Sequence, residues 1–195
     1  MIKKVMIVSA FAAVTTSAST IAADDTAGGV INFSGAITDT TCTINGGKSA
    51  DFTVALSPIT ITEAGNTVGL INKNKKSFSM TFSDCTPAVS TSGIHFLKIN
   101  FFSADNISTD GKYLLNNSVN ENDPSVARNV GFSLVEPGAT APIILNQPYT
   151  TSITEAAKLS DEETLTLDVY YYKTNTTAAT VGALSSNVTY TISYL

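Results

Sequence analysis

Cys42 and Cys85 are the only cysteines and His95 the only histidine, and these three side chains bound the chemistry the chain can do. An even pair of cysteines in a chain that meets an oxidising compartment reads as a disulfide. Their spacing to other ligand types suggests no metal site. The bridge would close a loop of about 44 residues, which in the chain-entropy treatment contributes roughly 4 kcal/mol. His95 lies in Ile94-His95-Phe96-Leu97-Lys98-Ile99-Asn100, where alternation sets it on the face of Leu97 and Ile99. That is the place of a packed or edge histidine, and no Gly-x-Ser-x-Gly elbow supplies a nucleophile for it.

Four further runs invite a chemical reading. Cys42-Thr43-Ile44-Asn45-Gly46-Gly47-Lys48-Ser49 resembles a phosphate loop, but Cys42 stands where the first glycine is needed. A helix must also follow such a loop, and residues 51–56 alternate as a strand, so the run reads as a hairpin turn. Asn120-Glu121-Asn122-Asp123 is rich in oxygen yet lacks the ordered ligand spacing of a calcium loop. Tyr170-Tyr171-Tyr172 could stack on sugar rings, although a strand of high β-propensity explains it more simply. Lys73-Asn74-Lys75-Lys76 is the one basic cluster and reads as a polar loop before a strand. With a formal charge of −5, nucleic acid is a poor partner, since phosphate binding needs clustered Lys or Arg. Asn106, Asn116, Asn175 and Asn187 open Asn-x-Ser/Thr sequons, which arise by chance in a chain this rich in Thr, Ser and Asn. No catalytic constellation, cofactor loop or metal site results, and the chain is not expected to be an enzyme.

The elements that carry these residues are strands. Residues 1–23 read as a secretory signal: Lys3 and Lys4 precede the apolar run 5–14, and small residues follow. That apolar run is too short to span a bilayer. About 172 residues remain, enough for one domain with a real core. Losing the two lysines takes the formal charge from −5 to −7. Strand signals recur near 35–44, 51–56, 77–82, 94–102, 113–115, 129–135, 143–145, 165–172 and 188–194, with turn residues between them. Short strands at this spacing predict an all-β sandwich. Helical periodicity is nearly absent, and the best candidate is 152–159.

Both ends of the mature chain alternate. Val188, Tyr190, Ile192 and Tyr194 point one way while Thr189, Thr191, Ser193 and Leu195 point the other. Near the other end, Gly29, Ile31, Phe33, Gly35 and Ile37 share one face, and Val30, Asn32, Ser34 and Ala36 the opposite one. Bare strands at both ends invite pairing with another chain.

Gly28-Gly29-Val30-Ile31-Asn32-Phe33-Ser34-Gly35 stands before Cys42, and Asn129-Val130-Gly131-Phe132-Ser133-Leu134 follows mid-chain. Tyr170-Tyr171-Tyr172, Gly182 and a closing Thr189-Tyr190-Thr191-Ile192-Ser193-Tyr194 complete the series. In this order, in an exported chain of this length with one cysteine pair, the sequence resembles the structural subunits of chaperone–usher fimbriae, specifically type 1-like major pilins.

The resemblance implies an incomplete immunoglobulin-like sandwich that lacks its last strand and is completed by a donor strand from a partner. It implies residues 1–23 as signal, 24–34 as a donor-strand arm and 35–195 as the pilin domain. Gly29, Ile31, Phe33, Gly35 and Ile37 would face a neighbour's groove. Val188, Tyr190, Ile192 and Tyr194 would form the groove wall, and the carboxylate of Leu195 would contact the chaperone. Cys42 and Cys85 would be joined by a disulfide that steadies the first strand. The partners implied are identical pilin subunits, a periplasmic chaperone and an outer-membrane usher. The destination is a fimbrium on the cell surface that supports adhesion. Residues 31–37 also read as the start of this domain's own first strand, with the arm ending near Gly35. Two other readings remain open: a minor or adaptor subunit, and a self-contained exported carbohydrate-binding module.

Overall fold

The computed structural model describes residues 41–48, 50–51, 53–86, 96–117, 123–154 and 162–193. The expected signal, the arm and His95 lie outside the described residues. Among the described residues there are seven strands: β1 Thr41–Ile44, β2 Gly69–Thr86, β3 Phe96–Phe102, β4 Val130–Val135, β5 Pro148–Thr154, β6 Glu163–Lys173 and β7 Thr189–Ser193. They form two antiparallel sheets with the orders β1-β2-β6-β4 and β5-β3-β7. An immunoglobulin-like sandwich packs strands A, B, E and D against C, F and G. In chain order β1, β2, β6 and β4 take the A, B, E and D places, and β3 and β7 take C and F, with β5 flanking C. The all-β, immunoglobulin-like architecture expected from the sequence is what forms.

Alternation builds the core. Leu97, Ile99 and Phe101 of β3 are buried. Met80 and Phe82 of β2 and Leu165, Leu167 and Val169 of β6 meet them from the other sheet in one cluster that includes Ile192 of β7. Register holds the two layers in phase, with Phe78 opposite Leu167, Met80 opposite Leu165 and Ile99 opposite Ile192. A one-residue slip would turn each of these side chains to the wrong face.

β2 is longer than expected. Lys73-Asn74-Lys75-Lys76 lies inside it rather than in a loop, at a break in register between Ile71 and Lys76. Asn74 there has φ of 56° and its amide donates to the carbonyls of Ser57 and Pro58. Such a bulge lets polar residues sit in a strand without burying them. Within it, Lys75 Nζ donates to Asp168 Oδ2 at 2.9 Å and to the Tyr170 hydroxyl at 3.0 Å. Ser77 Oγ donates to the other oxygen of Asp168. These donors hold the buried Asp168 carboxyl below its usual range, the Ser77 hydrogen bond first and the Lys75 ammonium second.

Other expectations need correction. Residues 51 and 53–56 belong to no strand, and Asn45–Gly47 is a 3-10 turn rather than a hairpin. β1 pairs instead with the distant β2, Thr43 opposite Ser83. The positive φ of Asn45, Gly46 and Gly47 turns the chain out of β1. Ser152–Thr154 end β5 and are not helical, because Thr151 and Ile153 alternate into the core; residues 155–159 lie outside the described residues. Residues 113–115 and 143–145 form no strand: Leu114 makes isolated bridges with Ile107 and Phe132, and the bridge to Val135 falls on Pro142, just before 143–145. A short helix not expected, Ile61–Ala64, is closed by a capping box in which Thr60 and Glu63 bond reciprocally. Gly182 has φ of +155° and lies where a Cβ would come within 2.3 Å of the Val126 backbone, so only glycine lets the chain pass there on its way to β7.

Candidate functional site

The two layers do not close equally along both sides. Beside β7 they enclose a cleft of about 720 Å3. Its floor is apolar: Phe78 of β2, Phe101 of β3, Phe132 and Leu134 of β4, Val169 of β6, and Leu114. Along one side run Val188, Tyr190 and Ile192; along the other lie Cys42 and Ile44 of β1, followed by Val54 and Leu56.

Each side follows from local sequence. In β7 the period-two pattern turns Tyr190 and Ile192 toward the floor, and Ile192 is buried. Residues 53–56 keep the same alternation outside any strand, with Thr53 and Ala55 exposed and Val54 and Leu56 half-buried against the core. The disulfide Cys42–Cys85 ties β1 to the end of β2 and so fixes where that side begins.

The polar groups are few. Asp51 is the one carboxylate among the described residues lining the cleft. Ser186 Oγ, at one end, is buried without a hydrogen-bond partner. Asn187 beside it accepts from the side-chain amide of Asn106. The Tyr190 hydroxyl donates to the Ala50 carbonyl at 2.7 Å. Burial pushes the Tyr190 phenol above its usual value, and the charge of Asp51 adds to the shift. Among the described residues no group of three His, Cys, Asp or Glu could hold a metal. Among the described residues the cleft is a long apolar trough with one carboxylate, a surface suited to burying apolar side chains.

Of the site residues expected from sequence, Val188, Tyr190, Ile192 and Cys42 line this cleft, and Cys85 is joined to Cys42. Gly29, Ile31, Phe33, Gly35, Ile37, Tyr194 and Leu195 lie outside the described residues, as do Asn120, Glu121 and Asn122. Sequence reasoning named no residue of the floor as part of the site and, on the second side, only Cys42 of the first strand. Ile44, Val54 and Leu56 carried a signal in their alternation. Phe78, Phe101, Phe132, Leu134 and Val169 could be found only once the two sheets were superposed.

The fimbrial protein family model matches residues 31–195. The F17 fimbrial protein of Escherichia coli is 29% identical over 197 residues, spanning 98% of this chain and 99% of that protein. Among solved structures, the P pilus rod subunit PapA aligns over 85% of this chain and 100% of its own, with 16% identity and a TM-score of 0.49. A Burkholderia pseudomallei antigen and type I fimbria protein aligns over 75% of this chain and 84% of its own, with 12% identity and a TM-score of 0.48. With the family model covering most of its length, this chain belongs to the fimbrial protein family.

Proposed function

We propose that this protein is a shaft subunit of a surface fimbria, polymerised head to tail by donor-strand exchange. A periplasmic chaperone would fill the cleft beside β7 first, and the arm of the next subunit would replace it at an outer-membrane usher. The observation that carries the reading is the apolar cleft between β7 and residues 50–56, in a chain that also carries an alternating segment at 29–37. Strand addition draws affinity from main-chain hydrogen bonds and specificity from alternate side chains. Ile31, Phe33 and Ile37 would enter the cleft of a second copy, and their burial is worth something like 5–9 kcal/mol before ordering costs. Because donor and acceptor lie at different places on one chain, the contact is heterologous and propagates as an open polymer. The family is one of structural fimbrial proteins, in keeping with a cleft that lacks the groups for turnover.

The experiment is a gel. Surface material from expressing cells should run as a ladder that collapses on heating, whereas a self-contained carbohydrate-binding module should run as a monomer and retain sugar. Phe33→Asp, which sets a charge among apolar side chains, should abolish incorporation while leaving export intact. Normal fibres from that variant would remove residues 29–37 from the role of donor.

A further inference from the structure

A strand seated between two others needs walls about 10 Å apart, twice the usual spacing of about 4.8 Å. One wall here is β7, a regular strand aligned by β3 through five residue pairs. The other is residues 50–56, which belong to no strand among the described residues and set Val54 and Leu56 against the core. Tyr190 links the two. It rises from β7 opposite Phe101, its ring lies 6.3 Å from the Phe101 ring, and its hydroxyl ends on the Ala50 carbonyl. That hydrogen bond of 2.7 Å joins one wall of the cleft to the other.

Resting on the strand-exchange reading above, we infer that Tyr190 is the gauge of the cleft: its hydroxyl holds the 50–56 segment one strand-width from β7, so the second wall stands in place before a donor strand arrives. The ring belongs to the floor and the hydroxyl to the wall, and the two roles separate by mutation. Tyr190→Phe keeps the ring and its contact with Phe101 and removes only the hydrogen bond. Without that bond the start of the segment loses one anchor, and more of its ordering falls on the incoming strand, which weakens the joint.

Full-length chains carrying Tyr190→Phe, assembled into fibres by the cell, test this alongside wild type. Two readouts are needed: the temperature at which the gel ladder collapses, and hydrogen–deuterium exchange of the amides of residues 53–56 in the full-length subunit released from its chaperone, before any donor strand is added. The expected result is exchange at 53–56 faster by about five- to tenfold, the size of one lost hydrogen bond, with amides of β2 and β6 unmoved and the ladder collapsing at a lower temperature. Unchanged exchange at 53–56 and an unchanged collapse temperature would overturn the gauge while leaving strand exchange standing. A wild type that forms no ladder would overturn the strand-exchange reading and the gauge with it. Tyr190→Ala is the control: a loss no greater than that of Tyr190→Phe assigns the effect to the hydroxyl, and a loss confined to Tyr190→Ala overturns the gauge in favour of the ring.

Discussion

The β2–β6 seam and the side of the cleft draw on the same core and end differently. Along the seam, Met80, Phe82 and Leu167 are fully buried, and ten residue pairs run in register on either side of one bulge. Beside the cleft, Val54, Leu56, Val188 and Tyr190 touch the same apolar cluster but are only half-buried. The seam is where the chain satisfies its own hydrophobic pattern. The cleft is where it has more apolar surface than it covers with its described residues. If the cleft takes a donor strand as proposed, substitutions in the seam and beside the cleft should separate stability from assembly.

The largest effect should come from the covalent tie between the flanks. Replacing Cys42 and Cys85 by serine removes a crosslink spanning 43 positions, worth about 4 kcal/mol in the unfolded chain's entropy. The yield of exported subunit should fall sharply, and fall equally for wild type in cells unable to oxidise thiols; an unchanged yield in either case would count against the tie. Next comes a matched pair of truncations. Leu167→Ala, in the closed seam, should lower the stability of the isolated domain by about 3 kcal/mol in urea unfolding. Val188→Ala, beside the cleft, should cost the domain about 1 kcal/mol or less, yet lower the collapse temperature of the ladder by more than Leu167→Ala does. Equal effects of the two on the ladder would erase the distinction between flanks. The smallest effect is the acid limb. Asp168 has its carboxyl held below its ordinary value of 3.8, so its contribution is complete above that pH and is lost as pH falls through the lowered value. Asp168→Asn should flatten the acid side of the stability profile below pH 4, with β7 and the cleft unaffected.

The sandwich was legible in the sequence because alternation writes the two faces of a strand directly. β3, β4, β6 and β7 were found within two residues at the ends described. The failures have physical causes. β5 was missed because Pro148 and a run of threonines look like a turn and then a helix start, while the burial of Thr151 and Ile153 is decided by β3 alongside. The lysine-rich part of β2 was taken for a loop because a bulge lets a strand carry solvent-loving residues. Residues 51–56 have a strand's pattern without a strand's pairing, and pairing is a property of neighbours rather than of the segment. The cleft was legible only along β7; its floor comes from four strands and Leu114, far apart in sequence, which no local pattern can bring together.

Lys173 carries a consequence of another kind. It closes β6 with its side chain wholly shielded, and its ammonium group donates to the carbonyls of Asn175 and Thr177. Burial lowers the amine's pKa, and the shielded group is out of reach of an acylating reagent while the turn at 175–177 stays shut. Its labelling is therefore gated by access. In a fibre where other lysines react at once, acylation of Lys173 would act as a slow clock, timing how often the end of that strand breathes open.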